Sequence, residues 1–177
     1  MAIEALLGVV SQSKEYIQIR DVLARPRSEQ LVNGLSGSQK SLYIAALFWE
    51  RMQEDPAPFL LLTYSTYQAE RLGTDLITLL GTEYVQLFPA LETLPHEEVT
   101  RSFELTRDRM TVFDRLAGEQ PVLVVTSIQA LSEKLIPKEA MFADLVSIDM
   151  ESRVDLTELG AKLVRMGYRR VERVEAA

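Results

Sequence analysis

The run GLSGSQKS at 34–41 holds the residue types that cradle phosphate in nucleotide-binding loops. In the pattern G-x-x-x-x-G-K-[ST], glycines let backbone N–H groups wrap the phosphates at a helix N-terminus, the lysine reaches the outer phosphates, and the hydroxyl holds magnesium. Gly34, Gly37, Lys40 and Ser41 are in place, but Gln39 stands where the last glycine belongs. Its side chain projects where phosphate and backbone need close approach. Two readings follow: an ATP or other phosphate site built on Lys40 and Ser41, or a relic loop whose shape is kept for packing. The strictness of the glycine geometry favours the relic.

Hydrolysis at such a loop also needs an acid at the end of a buried strand, to position magnesium and water. The best candidates, Asp149 and Glu151, follow 145–148 rather than the clearest strand, PVLVVT at 121–126, and read as a strand edge. His96 lies between Pro95 and Glu97 without a serine, cysteine or second ligand to work with, and receives no role. Glu92, Glu97 and Glu98 lack the regular spacing of a hard-cation site and read as a solvated loop. Cysteine is absent and histidine single, which removes thiol catalysis, disulfides and a Cys/His metal cage. Tyr64, Tyr67 and Tyr84 are too scattered for a base-stacking platform, and Phe48 and Trp49 read as core. No catalytic residue and no metal site are expected.

At 177 residues, with 47% hydrophobic and 25% charged side chains, the chain has the make-up of a folded domain rather than a disordered one. Its formal charge of -7 argues against a broad DNA-binding surface, so DNA contact is expected to be local or delegated to a partner. The local reversal of charge is the cluster Lys162, Arg165, Arg169, Arg170 and Arg173, interspersed with Glu172 and Glu175. It reads either as a solvated face or as a docking patch for an acidic partner. Residues 1–21 have no basic leader and no small-residue cleavage site, and no apolar run has the length of a membrane span. A cytoplasmic protein without membrane contact is expected.

The elements that must position these residues alternate. One opening helix precedes a short β-compatible segment at 29–33, the loop, and a helix over 40–52. Strands are predicted at 59–63, 85–88 and 121–126, with helices over 65–80, 101–116 and 128–135, the last closed by Pro137. The stretch 91–100 is acidic and irregular. Such alternation specifies an α/β fold with a mostly parallel sheet flanked by helices. From 145 the texture changes to a strand over 145–150, then a helix opened by the capping pair Asp155 and Glu158 with an apolar stripe of Leu156, Leu159, Leu163 and Met166. Gly167 stops it, and 168–174 alternates like a strand whose open edge is expected of a piece of a longer protein.

Five motifs now stand in one order: GLSGSQKS, LLLTYSTYQAERLGTDLITLLG, VQLFPALETLPHEE, PVLVVTSIQALSEKLIP and LVRMGYRRVERV. Together they resemble the N-terminal region shared by UvrB and the transcription-repair coupling factors (Mfd). UvrB proteins carry an intact P-loop and, after the third strand, a tyrosine-rich β-hairpin. Here the loop lacks its last glycine and FPALET at 88–93 leads into a short acidic loop, so the coupling-factor family is the nearer resemblance.

That resemblance implies a degenerate P-loop NTPase-like module, similar to domain 1a of UvrB, over 1–144. The start of a second, small α+β domain of the UvrA-binding type would occupy 145–177, with the family's next segment, glycine-glutamate-aromatic, lying past Ala177. UvrA is the implied partner, through Arg170 in Tyr168-Arg169-Arg170-Val171, with Arg169 and Arg173 added by proximity. The loop residues Gly34, Gly37, Lys40 and Ser41 are expected to be empty and this region to need no cofactor, ATP and magnesium belonging to the parent's motor domains. The parent, by resemblance, is an ATP-dependent DNA translocase that removes stalled RNA polymerase and recruits the nucleotide excision machinery, touching RNA polymerase and DNA through its other parts. The expected function is a non-catalytic module that recruits UvrA and packs against other domains of the parent. The alternatives are a working ATP-binding domain or a UvrB-like DNA-binding module.

Overall fold

The computed structural model describes residues 2–91, 103–118, 120–135, 137, 139, 146, 148–149, 153–168 and 170–171. The chain divides into two compact units, Met1–Glu133 and Lys134–Ala177.

The first unit opens with two helices rather than the single one expected. Helix α1 (Ala2–Ser11) ends where the Ser11 hydroxyl donates to the carbonyl of Gly8, and α2 (Lys14–Leu23) restarts from Ser13, whose side chain accepts the Tyr16 N–H. A serine offering its own oxygen to the next turn competes with helix continuation and starts a new one. These helices are part of the core: Leu7, Tyr16 and Ile19 are buried.

The expected strand at 29–33 is absent, and the segment has no regular structure. It has two apolar residues to offer a sheet, and Leu31 is 84% exposed. The chain then passes through the loop into α3 (Gln39–Glu54).

Beyond Pro56 and Pro58 the alternation is as predicted. Strand β1 (Phe59–Thr63) leads through α4 (Thr66–Leu80) to β2 (Val85–Phe88), and α5 (Phe103–Ala117) leads to β3 (Leu123–Ser127). The sheet order is β1-β3-β2, all parallel, with Leu61 opposite Val125 and Leu87 opposite Val125 on the other side. The central strand is buried at every position. Its odd and even residues face opposite layers, the period of two that a sheet covered on both faces requires. Leu123 and Val125 join Leu7, Tyr16, Phe48, Leu76 and Val85 on one side, whereas Val122 and Val124 join Phe88, Val112 and Ala130 on the other. Among the described residues the second layer stops short of β1. Leu60 and Leu62, in register with Val124 and Thr126, are 61% and 45% exposed.

Helix α6 (Ile128–Leu131) is one turn long, not the eight residues expected. The chain leaves the helix early, and Glu133 is drawn into a buried ion pair with Arg109 of α5. Glu133 also accepts the Leu91 N–H at 2.8 Å, and Arg109 donates to the Pro89 carbonyl at 3.1 Å while lying 4.3 Å above the Phe88 ring. This group clasps the chain where it leaves β2. Two further buried hydroxyls tie the carboxyl ends of the strands together: Thr63 donates to the Thr126 carbonyl at 3.1 Å, and Thr126 to the Phe88 carbonyl at 2.8 Å.

In the second unit helix α7 (Leu156–Arg165) opens at Asp155, the N-cap half of the expected pair, and the Glu158 side chain makes no returning bond to the Asp155 N–H. Asp155 accepts from Thr157 N at 2.7 Å and Glu158 N at 3.2 Å. Gly167, at φ 94, closes the far end, where Tyr168 N donates to the Leu163 carbonyl and Gly167 N to that of Val164. Of the strand expected at 145–150, Val146, Ile148 and Asp149 are described and lie in no regular structure; of that at 168–174, the same holds for Tyr168, Arg170 and Val171. The remaining residues of both lie outside the described part.

Candidate functional site

Loop 34–41 begins at Gly34 (φ 91) and turns at Gly37 (φ 52), two left-handed positions that cost glycine little. Ser38 leads into α3 without a side-chain capping bond. Gln39, the first residue of α3, closes the turn before the helix. Its Oε1 takes the Ser36 N–H at 3.0 Å, and its own N–H donates to the Ser36 carbonyl at 3.1 Å. The loop is therefore bonded to itself at the position where the phosphate pattern has a glycine.

The other expected ligands part company. Lys40 is exposed and lines a groove of about 520 Å³ together with Asn33, Gly34, Tyr43, Leu61 and Thr63. Ser41 is buried, and its hydroxyl donates to Asp75 Oδ2 of α4 at 3.0 Å. A hydroxyl satisfied against a neighbouring helix packs α3 onto α4, a structural use of the residue that would otherwise hold magnesium. At the carboxyl end of the central strand stand Thr126 and Ser127, both buried. Thr126 bridges the strands, and the Ser127 side chain accepts the Ala130 N–H to start α6. Asp149 is described and Glu151 is not. Among the described residues no group of three or more His, Asp or Glu side chains could hold a metal ion. His96, Glu92, Glu97 and Glu98 lie outside the described residues.

The aromatic residues sort cleanly. Tyr84 packs edge-on against Phe48 and Trp49 in the core, whereas Tyr64 and Tyr67 are exposed. A network not anticipated from the sequence joins α2 to α3: the Tyr16 hydroxyl donates to Glu50 at 2.5 Å and Arg20 pairs with Glu50 at 3.1 Å. Burial, then the hydrogen bond to the Glu50 carboxylate, hold the Tyr16 phenol well above its ordinary range. The 34-residue separation leaves no local pattern to read.

The expected partner-binding residues lie in the second unit. Lys162 and Arg165 occupy the last turn of α7, where cations complement the helix dipole. Arg170 is exposed beyond it, and Arg169 and Arg173 lie outside the described residues. None of the α7 side chains is buried; Val164, Tyr168 and Val171 are exposed next to these cations in the chain, and Leu156 is exposed at the other end of the helix.

No family model matches the chain. Among curated proteins, the transcription-repair-coupling factor of Bacillus subtilis (strain 168) is 31% identical over 167 residues, covering 94% of this chain. The chain is homologous to transcription-repair-coupling factors. The coupling factor of Staphylococcus haemolyticus (strain JCSC1435) is 29% identical over 91% of the chain, and that of Staphylococcus aureus (strain USA300) 27% identical over 93%. In each coupling factor the match lies in the N-terminal region. The chain spans 13 to 14% of the length of these relatives. Among the described residues no helix is long and apolar enough to cross a membrane.

Proposed function

We propose that this chain is a catalytically silent module of a transcription-repair coupling factor, which helps recruit the excision protein UvrA and packs against the rest of its parent. The observation that carries the reading is Ser41: its hydroxyl is buried and spent on Asp75, so the loop is knitted into the packing of α3 on α4. Homology to the coupling factors supplies the repair context. ATP, magnesium, RNA polymerase and DNA then belong to other parts of the parent, and the chain is itself no enzyme. Its division of labour assigns 1–144 to a scaffold like domain 1a of UvrB and 145–177 to the start of the UvrA-binding domain.

Recruitment falls to the cations after α7, because a cluster of positive charge beside exposed apolar residues on an otherwise acidic chain steers and orients an acidic partner. In the longer parent protein, Arg170→Glu is expected to weaken UvrA association at least tenfold in a binding titration while the melting temperature stays unchanged. Undiminished UvrA affinity removes Arg170 from the interface and with it the residue-level basis for the recruitment reading.

A further inference from the structure

Strand β1 closes one side of the sheet, and among the described residues it pairs with β3 alone. Native edge strands are blunted by charged side chains, proline or bulges, because a row of unpaired N–H and C=O groups recruits another strand. Phe59-Leu60-Leu61-Leu62-Thr63 contains neither charge nor proline. The groove that holds Lys40 borders this strand. Leu61, Leu62 and Thr63 line it from β1, and Gln30, Val32 and Asn33 line it from the segment whose β-compatible pattern finds no strand partner. Lys40 is the one charged side chain among the described residues of the lining, and it makes no ion pair with a described residue.

We propose that this groove receives an apolar β-strand from the rest of the parent, and that Lys40 is its docking cation, pairing with a carboxylate the strand carries. The inference rests on the reading that the chain packs against its parent, and it names the surface and the residue that do so. A strand seated against β1 satisfies its backbone on the open edge, but it also strips water from the groove. An ammonium left there without a counter-charge is costly, and a carboxylate on the incoming strand removes the cost. The parent fits better than a second copy of the chain. The chain spans 13 to 14% of its relatives' length, so a strand donor is tethered in the same polypeptide at high effective concentration. A two-fold contact between copies sets β1 against β1, and no acid lines the groove to meet Lys40.

The test is amide hydrogen exchange in this chain alone and in the longer parent protein, each as wild type, Lys40→Glu and Lys40→Arg. The β1 amides that point away from β3 are expected to exchange about tenfold or more slowly in the parent than in the chain alone. Lys40→Glu should lose most of that protection in the parent, and Lys40→Arg, which keeps the charge, should retain it. Melting of the chain alone checks that Lys40→Glu is folded. Protection in the parent that Lys40→Glu leaves intact overturns the docking role of Lys40. Protection of β1 that rises with the concentration of the chain alone overturns the parent as occupant and identifies a second copy. Protection of other surfaces of the first unit in the parent, with β1 unchanged, sinks the groove proposal and keeps the packing reading, whereas no protection anywhere in the first unit sinks both.

Discussion

The loop before α3 and the helix α7 both concentrate residues that could do chemistry, and they sit in opposite surroundings. In the loop two polar side chains are matched within the fold, Gln39 with Ser36 and Ser41 with Asp75. Along α7 the backbone ends are capped at Asp155 and Gly167, yet none of its side chains is buried, and cations stand beside exposed apolar residues. Polar groups satisfied internally rigidify a scaffold. An amphipathic helix whose stripe is half-buried at Leu159, Leu163 and Met166 and exposed at Leu156 still has apolar surface to bury. The difference separates a region whose polar residues are spent on packing from one that leaves cations and apolar side chains exposed.

The largest expected effect tests the scaffold side. Arg109 is a buried guanidinium, 8% exposed, with Glu133, the Pro89 carbonyl and the Phe88 ring as its partners. Arg109→Ala leaves the Glu133 carboxylate uncompensated and should cost about 3 kcal/mol in urea unfolding, the usual penalty for removing half of a buried pair. A loss below about 1 kcal/mol, the worth of an exposed pair, would mean that the clasp at the exit of β2 is decorative.

A smaller effect tests α7. Hydrogen bonds from the Thr157 N–H and then the Glu158 N–H hold the Asp155 carboxyl below its ordinary value. A carboxyl with a depressed folded pKa stabilises the fold above its unfolded value, and that contribution disappears as pH falls through the lower folded value. In an acid titration followed by amide chemical shifts, the first turn of α7 should therefore loosen below the ordinary carboxylate range, and Asp155→Asn should keep the cap without the pH step. Wild-type shifts that stay flat through that range would show that the cap does not hold the helix.

What the sequence made legible follows from how local each cause is. Strands β1 and β2 matched their expected limits because β1 is an apolar run between Pro58 and Ser65 and β2, Val85-Gln86-Leu87-Phe88, is stopped by Pro89. Helix α4 ended at Gly81 as expected, since a glycine at φ 97 there needs no partner elsewhere. Segment 29–33 is the opposite case. Its β-compatible pattern is local, but strand formation depends on a paired edge and a buried face, and among the described residues neither is present for it. The Arg109 and Glu133 pairing joins residues 24 apart, and Glu133 lies in the stretch where the helix pattern continues but α6 has ended.

The claim at the centre of this account is that loop 34–41 is a packed relic rather than a nucleotide site, and calorimetric titration of the chain with magnesium-ATP tests it most directly. The account predicts no heat of binding for the wild type. Saturable micromolar binding that Lys40→Ala abolishes would contradict it and make the chain a nucleotide-responsive switch.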